Sequence, residues 1–242
     1  MTAVLSATGV SVSFGGVRAL VDVDLDVEEG QLVGLIGPNG AGKTTFIDAI
    51  TGIVRSRGRV ELDGRDLTSL PPHARARLGL TRTWQSIELF DDLTVLENLT
   101  VLASRHTTRT AEDTLGLFGL EALAGAMPSE LSQTQRKVVG LARALATEPR
   151  LLCLDEPAAG LDVTESEDLG RRLREIVDVG TAMLLVDHDM GLVLGISDHV
   201  VALEFGQVIA AGTPEAVRRD PQVIAAYLGS AAAEVAEAGA QP

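Results

Sequence analysis

The chain has 242 residues with 34 Asp and Glu against 20 Lys and Arg, a net charge of −14, and only 3% aromatic residues. This negative charge repels phosphate backbones, and the small number of aromatic rings offers little base stacking. Both observations argue against a nucleic-acid-binding protein. A single cysteine excludes an internal disulfide framework or zinc knuckle and favours a reducing compartment.

The sequence offers no segment typical of export or of a membrane span. Residues 1–6 carry no basic stretch of the kind that begins a signal peptide. The longest apolar candidate, residues 183–196, is interrupted by Asp187, His188 and Asp189 and is shorter than the ~18 apolar residues of a membrane helix. We therefore expect the chain by itself to be cytoplasmic.

The N-terminal part predicts an antiparallel sheet followed by a strand, a glycine-rich loop and a helix. Apolar and polar residues alternate up to Phe14 and again over residues 20–27, with Gly15-Gly16 as the turn between them. The apolar run 31–36 is typical of a strand buried on both faces, and a helical pattern follows over 44–51. Residues 60–64 indicate a further hairpin.

The remainder predicts a mainly parallel sheet with a helical insertion. Leucines recur every three residues over 93–102 and again over 117–123, which favours helices. Strand patterns alternate with a polar-faced helix at 165–177, and these strands are residues 151–154, 182–186 and 200–203. Such alternation predicts parallel strands with right-handed crossovers, into which residues 93–148 are inserted.

Residues 37–44 satisfy the phosphate-binding pattern G-x-x-x-x-G-K-[ST] between a predicted strand and helix. Glycines let successive N–H groups surround a phosphate, and the helix N-terminus adds its positive end. Lys43 would reach the β- and γ-phosphates, Thr44 would ligate Mg²⁺, and Thr45 can donate to the α-phosphate. The predicted nucleotide-binding residues are Gly37, Pro38, Asn39, Gly40, Ala41, Gly42, Lys43, Thr44 and Thr45.

A second motif is the apolar strand 151–154, which ends in the carboxylates of Asp155 and Glu156. In a protein with such a phosphate loop, an Asp at a strand end holds Mg²⁺. Glu156 can polarise an attacking water, which kinases and GTPases do not require from this position. Taken alone, the pair also fits solvated charge that ends a strand. Cys153 is predicted to be core.

Together these motifs resemble the ATP-binding subunits of ABC transporters, and the resemblance extends from Val10 to Gly229. Gln85 matches the loop that senses the γ-phosphate, and His188 matches the switch histidine. Phe14 stands where that family places a ring under adenine. The signature motif corresponds to residues 131–135 and the D-loop to residues 159–162.

The resemblance implies an α/β fold of the P-loop ATPase type, with an N-terminal antiparallel β subdomain and a helical subdomain. The core would comprise residues 1–85 and 149–229, the helical subdomain about 86–148, and residues 230–242 a disordered tail. It implies ATP hydrolysis with ATP and Mg²⁺ as cofactors. Thr44, Gln85 and Asp155 are the expected metal ligands, and Glu156, His188 and Gln85 the expected catalytic residues.

The family closes two subunits head to tail over two ATP molecules. Ser132, Gln135 and Asp162 would then contact the nucleotide of a second ATPase subunit, identical or paralogous. Membrane permease subunits and, indirectly, a solute-binding protein are the other expected partners, which places the chain at the cytoplasmic face of the membrane. The sequence departs from the family at Gln133-Thr134, which replaces two glycines and limits backbone approach to phosphate.

Residues 79–85, 89–99, 187–190 and 212–229 resemble the subunits of branched-chain amino acid importers in particular. Importers of urea or amides share much of this pattern and are an alternative. A regulatory subunit that binds ATP with weak hydrolysis is a second alternative, favoured by Thr134 and opposed by Glu156 and His188. A chromosome-maintenance ATPase would require a long coiled coil and a translation-factor ATPase would require two tandem cassettes, and this chain has neither. A P-loop kinase is also disfavoured, because it requires neither a signature motif nor a switch histidine.

An apolar patch lies beside acidic residues in the segment 85–92 and has no predicted core partner. It consists of Ile87, Leu89 and Phe90. We expect this patch to form a groove for the cytoplasmic helices of the membrane subunits. Internal packing of the same side chains is the alternative.

Overall fold

The computed structural model describes residues 3–83, 89–102 and 109–228. The described strands are β1 (Ala3–Phe14), β2 (Val17–Glu28), β3 (Leu32–Ile36), β4 (Arg57–Leu62), β5 (Arg65–Asp66), β6 (Leu80–Arg82), β7 (Leu151–Asp155), β8 (Ala182–Val186), β9 (His199–Glu204) and β10 (Gln207–Gly212). The described helices are α1 (Lys43–Thr51), α2 (Pro72–Arg77), α3 (Val95–Thr100), α4 (Ala111–Phe118), α5 (Gln133–Leu145), α6 (Val163–Asp178), α7 (Met190–Ile196) and α8 (Pro214–Arg218). Two 3₁₀ turns, Glu121–Leu123 and Pro128–Glu130, precede α5, and residues 221–228 are helical.

The strands form two sheets. The N-terminal strands make an antiparallel sheet in the order β2-β1-β4-β5. The second sheet has the order β10-β9-β3-β8-β7-β6, in which only β10 runs antiparallel to its neighbour. The predicted fold class, a mainly parallel sheet with an antiparallel N-terminal sheet, is therefore confirmed.

Both faces of the parallel sheet are buried, and alternate residues of each strand face different cores. Leu32 and Ile36 of β3 belong to the core shared with α3 to α7, whereas Val33 and Leu35 pack with α1 and the antiparallel sheet. The same alternation holds along β7 and β8. Burial on both faces explains why these strands are continuous apolar runs in the sequence.

The helices of residues 89–148 are shorter than the leucine spacing predicts. Thr94 caps α3, accepting from the Glu97 N–H, so Leu93 precedes the helix. Gly119 ends α4 in a left-handed conformation with a φ of 62°, and the chain continues into a 3₁₀ turn. Capping residues, rather than leucine periodicity, therefore set these boundaries. None of the described helices combines the length and apolar character needed to cross a membrane.

A buried arginine links the end of α1 to the loop that follows β5. Arg75 of α2 is only 4% exposed, and its guanidinium donates to the carbonyls of Ala49 and Ile50 at the end of α1 and to those of Thr68 and Leu70. Burial lowers the pKa of the Arg75 guanidinium below its ordinary value. Two of these four bonds serve carbonyls in the last turn of α1, where the hydrogen bonds of the helix run out.

Candidate nucleotide site

Predicted site residues follow three neighbouring parallel strands and lie at one edge of the sheet. The glycine-rich loop follows β3, Glu156 follows β7, and His188 follows β8 by two residues. Because β3, β8 and β7 are adjacent and parallel, their carboxyl ends meet at the same edge. Crevices at this edge are where open α/β sheets bind ligands.

The loop depends on glycine at position 42, where the backbone has a positive φ and is closely packed. Gly42 has a φ of +106°, and a Cβ atom there would lie 2.8 Å from Cδ2 of Leu20 and 2.9 Å from the carbonyl oxygen of Ala19. Gly42 also precedes α1 without providing a side-chain cap. The N–H groups in the first turn of α1 are thus left to a ligand, as in phosphate-binding loops.

Lys43 lies inside this loop and is 8% exposed. Its Nζ donates to the carbonyl oxygens of Gly37 at 2.7 Å and Pro38 at 3.1 Å. Burial lowers the pKa of the Lys43 ammonium, and the nearby carboxylates of Glu156 and Asp155 oppose this shift. The structure therefore brings the loop lysine together with both carboxylates at the end of β7.

Thr44 and Asp155 form the oxygen-rich part of the site. Thr44 Oγ1 donates to Asp155 Oδ1 at 3.4 Å, and Arg82 Nη2 lies 3.2 Å from Asp155 Oδ2. Arg82 also pairs with Asp48 of α1. Burial raises the pKa of the Asp155 carboxyl, Arg82 lowers it, and Glu156 and Asp48 raise it further. Arg82 thus stabilises the ionised form of Asp155, whereas burial favours the neutral form.

Glu156 and His188 face each other across the ends of β7 and β8. His188 Nδ1 lies 4.0 Å from Glu156 Oε2 and 3.6 Å from Asp187 Oδ1. Glu156 has a φ of 52°, rare for a residue other than glycine, and its N–H donates to the Val186 carbonyl at 2.7 Å. A local conformation of this kind costs free energy and is characteristic of functional sites.

Asp187 holds the loop after β7 in place. Its buried carboxylate accepts from the Ala158 N–H at 2.9 Å and from the Asp189 N–H at 3.0 Å. Asp162 then caps α6, accepting from the Glu165 N–H at 2.9 Å while Glu165 accepts the Asp162 N–H. The D-loop residue is therefore engaged in its own helix start.

Ser132 and Gln135 form a reciprocal cap at the start of α5. Ser132 Oγ accepts from the Gln135 N–H at 3.1 Å, and Gln135 Oε1 accepts from the Ser132 N–H at 2.9 Å. The side-chain hydrogen bonds described for these two residues stay within the cap. Ser132 is exposed, so this helix start presents its surface to solvent.

The remaining predicted site residues are Phe14 and Gln85. Phe14 ends β1, pairs with Val17 across a tight turn, and is 51% exposed. Gln85 lies outside the described residues, as does Ile87 of the apolar patch.

The contacts of two residues at the site, Arg82 and Tyr227, were missed by sequence reasoning. They are the ion pairs of Arg82 and a hydrogen bond from the Gly37 N–H to the Tyr227 hydroxyl oxygen at 2.8 Å. Their partners lie far apart along the chain, and neither belongs to a local pattern of spacing. The basic residue in the segment 82–85 was the only available signal for the first contact.

The chemistry of the donor set fits a nucleotide with Mg²⁺. A hydroxyl and a carboxylate, those of Thr44 and Asp155, offer oxygen ligands, and Mg²⁺ is commonly bound by one or two carboxylates together with substrate phosphates. The ammonium of Lys43 and the uncapped start of α1 supply the positive end that phosphates require. These features define a P-loop nucleotide-binding protein.

The comparisons with known proteins narrow this class. Residues 20–159 match the family described as ABC transporter, and residues 207–233 match the family described as branched-chain amino acid ATP-binding cassette transporter. The chain belongs to the ABC transporter family of ATP-binding cassettes.

Individual relatives agree with this assignment. The chain is 39% identical to the high-affinity branched-chain amino acid transport ATP-binding protein BraF of Pseudomonas aeruginosa, over 94% of this chain and 98% of that protein. It superposes on the ADP conformation of MJ1267, an ATP-binding cassette of an ABC transporter, with a TM-score of 0.85 and 30% identity, over 95% and 100% of the two chains. A dimeric post-hydrolysis state of the cassette MJ0796, bound to ADP and Pi, gives a TM-score of 0.75 at 25% identity, over 87% and 98%.

Proposed function

We propose that this chain is the ATP-hydrolysing subunit of an importer of branched-chain amino acids, acting at the cytoplasmic face of the membrane through separate permease subunits. The observation that carries the proposal is the convergence of Lys43, Thr44, Asp155, Glu156 and His188 at one edge of the sheet. The relationship to BraF and the match over residues 207–233 support the substrate class.

We assign each group a role in ATP binding or hydrolysis. Lys43 would turn from the Gly37 and Pro38 carbonyls towards the β- and γ-phosphates. Thr44, Asp155 and Gln85 would hold Mg²⁺, which neutralises charge on the phosphate oxygens when it is bound. Glu156 would accept a proton from the attacking water, and His188, 4.0 Å away, would orient the reacting groups. Phe14 would support the adenine ring.

The remaining motif residues are assigned to a second subunit's nucleotide. Ser132, Gln135 and Asp162 lie at helix starts, which favour negative charge. We propose that α5 and α6 approach the partner's ATP in a head-to-tail dimer, with a solute-binding protein acting indirectly through the permeases. The dimeric state of MJ0796, bound to ADP and Pi, supports the pairing of two such subunits.

The function is tested on the assembled transporter. ATP-dependent uptake of labelled leucine into cells should be lost with Lys43→Ala and retained with Arg77→Ala, which changes an exposed basic residue outside the site. Uptake of labelled urea or acetamide measured in the same cells distinguishes the alternative importer class. Leucine uptake that is unaffected by Lys43→Ala would contradict the proposal.

A further inference from the structure

The C-terminal segment reaches the phosphate-binding loop through one side chain. Tyr227 belongs to the helical residues 221–228, and its hydroxyl oxygen accepts the Gly37 N–H at 2.8 Å across 190 residues of sequence. Gly37 is the first residue of the loop. This bond connects the element matched by the second family directly to the nucleotide site.

The carbonyl and the N–H of Gly37 are both hydrogen-bonded to side chains. Its carbonyl accepts from Lys43 Nζ at 2.7 Å, while its N–H donates to Tyr227. A Cβ atom at Gly37, where φ is +149°, would lie 2.2 Å from the Leu203 carbonyl oxygen and 3.0 Å from the Ala41 Cβ. The first residue of the loop is therefore fixed between the end of β9 and the turn at Ala41. Lys43 is hydrogen-bonded to this residue.

The tyrosine is supplied by a helix that is anchored independently of the loop. Val223 is buried in the core that includes β9 and α8, and the Tyr227 ring packs against the same core; Ala226 is buried as well. Ile224 and Leu228, on the outer side, are exposed. Burial raises the pKa of the Tyr227 phenol, so the ring carries a neutral hydroxyl at physiological pH. The position of the hydroxyl follows from packing of the helix.

We infer that Tyr227 is a positioning residue for the phosphate-binding loop and that it couples docking of the helical segment 221–228 to ATP binding. The inference rests on the proposed binding of ATP at this loop. When the segment is docked, the Gly37 peptide is fixed and the loop is preorganised for phosphate. When it is displaced, a partly buried N–H loses its acceptor and the loop loses a restraint. By linkage, ATP binding and docking of the segment stabilise each other to the same degree.

The first test is Tyr227→Phe, which keeps the ring and removes the hydroxyl that accepts the Gly37 N–H. ATP affinity, measured by titration calorimetry of the full chain, should weaken by about threefold to tenfold, the factor that one hydrogen bond supplies. The kcat at saturating ATP should change by less than about twofold, because the effect falls on binding. Leu228→Ala, an exposed neighbour, is the matched control and should bind ATP as the wild type does.

The second test does not depend on ATP hydrolysis. Tyr227 is the single tyrosine of the chain, so incorporation of 3-fluorotyrosine gives one ¹⁹F resonance, which should shift when ADP is added. In the ligand-free protein, the Gly37 amide should exchange its hydrogen faster in Tyr227→Phe than in the wild type, by about threefold or more. Thermal unfolding of each variant checks that the fold is intact.

The outcomes separate this inference from the proposed function. A wild-type chain that binds no ATP would overturn the function, and the coupling with it, while Gly37 exchange would still test the hydrogen bond. A wild type that binds ATP, together with a Tyr227→Phe variant of unchanged affinity and unchanged Gly37 exchange, would overturn the inference alone. Weaker ATP binding with faster exchange at Gly37 supports it.

Discussion

His188 Nδ1 lies 4.0 Å from Glu156 Oε2, and the two residues reach this distance from the ends of adjacent parallel strands. The Glu156 N–H donates to the Val186 carbonyl, so the backbone that carries the carboxylate is fixed relative to β8 as well as β7. Asp187, which directly follows β8, fixes the loop after β7 by accepting a hydrogen bond from the Ala158 N–H. The sheet thus positions Glu156, the proposed base, and His188, its proposed orienting partner.

Glu156→Gln should retain ATP binding and lose hydrolysis. Removal of a general base lowers the rate by about 10²- to 10⁴-fold, and the amide keeps the size and polarity of the side chain. Phosphate release by the assembled transporter measures the rate, and size-exclusion chromatography of the subunit with ATP should show an accumulated dimer. Glu175→Gln, on the exposed side of α6, is the control. Hydrolysis near the wild-type rate would show that Glu156 is not the base.

The parts of the site that the sequence predicts are those with local geometry. The loop 37–44 carries its own conformation in its glycines, and the strand of residues 151–155 carries its burial in a continuous apolar run. The loop and the end of this strand lie at the same edge of the sheet, because the strands run parallel. The parallel topology therefore predicts that they lie close together. The strand–helix order was sufficient for that prediction.

Contacts between distant segments could not be predicted in this way. Arg82 joins Asp48 and Asp155, which lie 34 and 73 residues away in the sequence. Its strand, β6, has only three residues, too few for a recognisable alternation. Arg75 shows the same limitation, because an arginine in a short helix gives no sign that its guanidinium caps α1. Such residues become visible only when the segments are packed together.

Arg75→Ala should destabilise the fold without altering the site directly. The change removes donors from buried carbonyls of α1, so the free energy of unfolding should fall by about 3 kcal/mol or more. For a chain of this size, that corresponds to a melting temperature lower by about 6–12 °C. Thermal unfolding followed by circular dichroism measures this difference.

Two variants show whether the guanidinium itself is responsible. Arg77→Ala, an exposed position of the same helix, should leave the melting temperature within about 2 °C of the wild type. Arg75→Lys should recover only part of the loss, because an ammonium cannot reproduce the planar fork of donors. Equal melting temperatures for Arg75→Ala and Arg77→Ala would contradict the assigned role of Arg75.

Phe90→Asp should impair assembly with the permeases. Phe90 is 47% exposed, and the guanidinium carbon of Arg143 lies over its ring, 5.5 Å from the centroid. The backbone here is held separately by buried Asn98, which accepts the Phe90 N–H and donates to the Phe90 carbonyl. The ring can therefore be changed without loss of the local conformation.

We expect Phe90→Asp to reduce copurification of the permease subunits and uptake, while ATP affinity of the isolated chain stays unchanged. Val179→Asp, which places the same charge at an exposed apolar position after α6, is the control and should assemble normally. Leu89 packs against the core shared with α3 to α7, so the expectation that it has no core partner is wrong, and it is not a matched position. Full assembly and uptake with Phe90→Asp would show that the patch does not contact the permeases.

The last prediction concerns the start of α5, where the sequence carries Gln133-Thr134 in place of two glycines. Ser132 and Gln135 close the cap around these two positions, so their Cβ atoms project from the first turn of the helix. A side chain at this point keeps the N–H groups further from a partner's phosphate than glycine would. Loss of one charge-assisted hydrogen bond, worth about 1.5–3 kcal/mol, would weaken that half of a composite site by about tenfold or more.

If this departure impairs the site, replacing both residues by glycine in the assembled transporter should raise the ATPase rate at limiting ATP. Glycine also weakens the helix, by up to about 1 kcal/mol at each position, so the gain must exceed that cost. The matched control is Gln133→Ala with Thr134→Ala, which keeps both Cβ atoms and favours the helix. We expect no gain from the alanine variant. An ATPase rate that is unchanged with glycine but falls with alanine would instead assign Thr134 as a substitute hydroxyl donor and reject the impaired site.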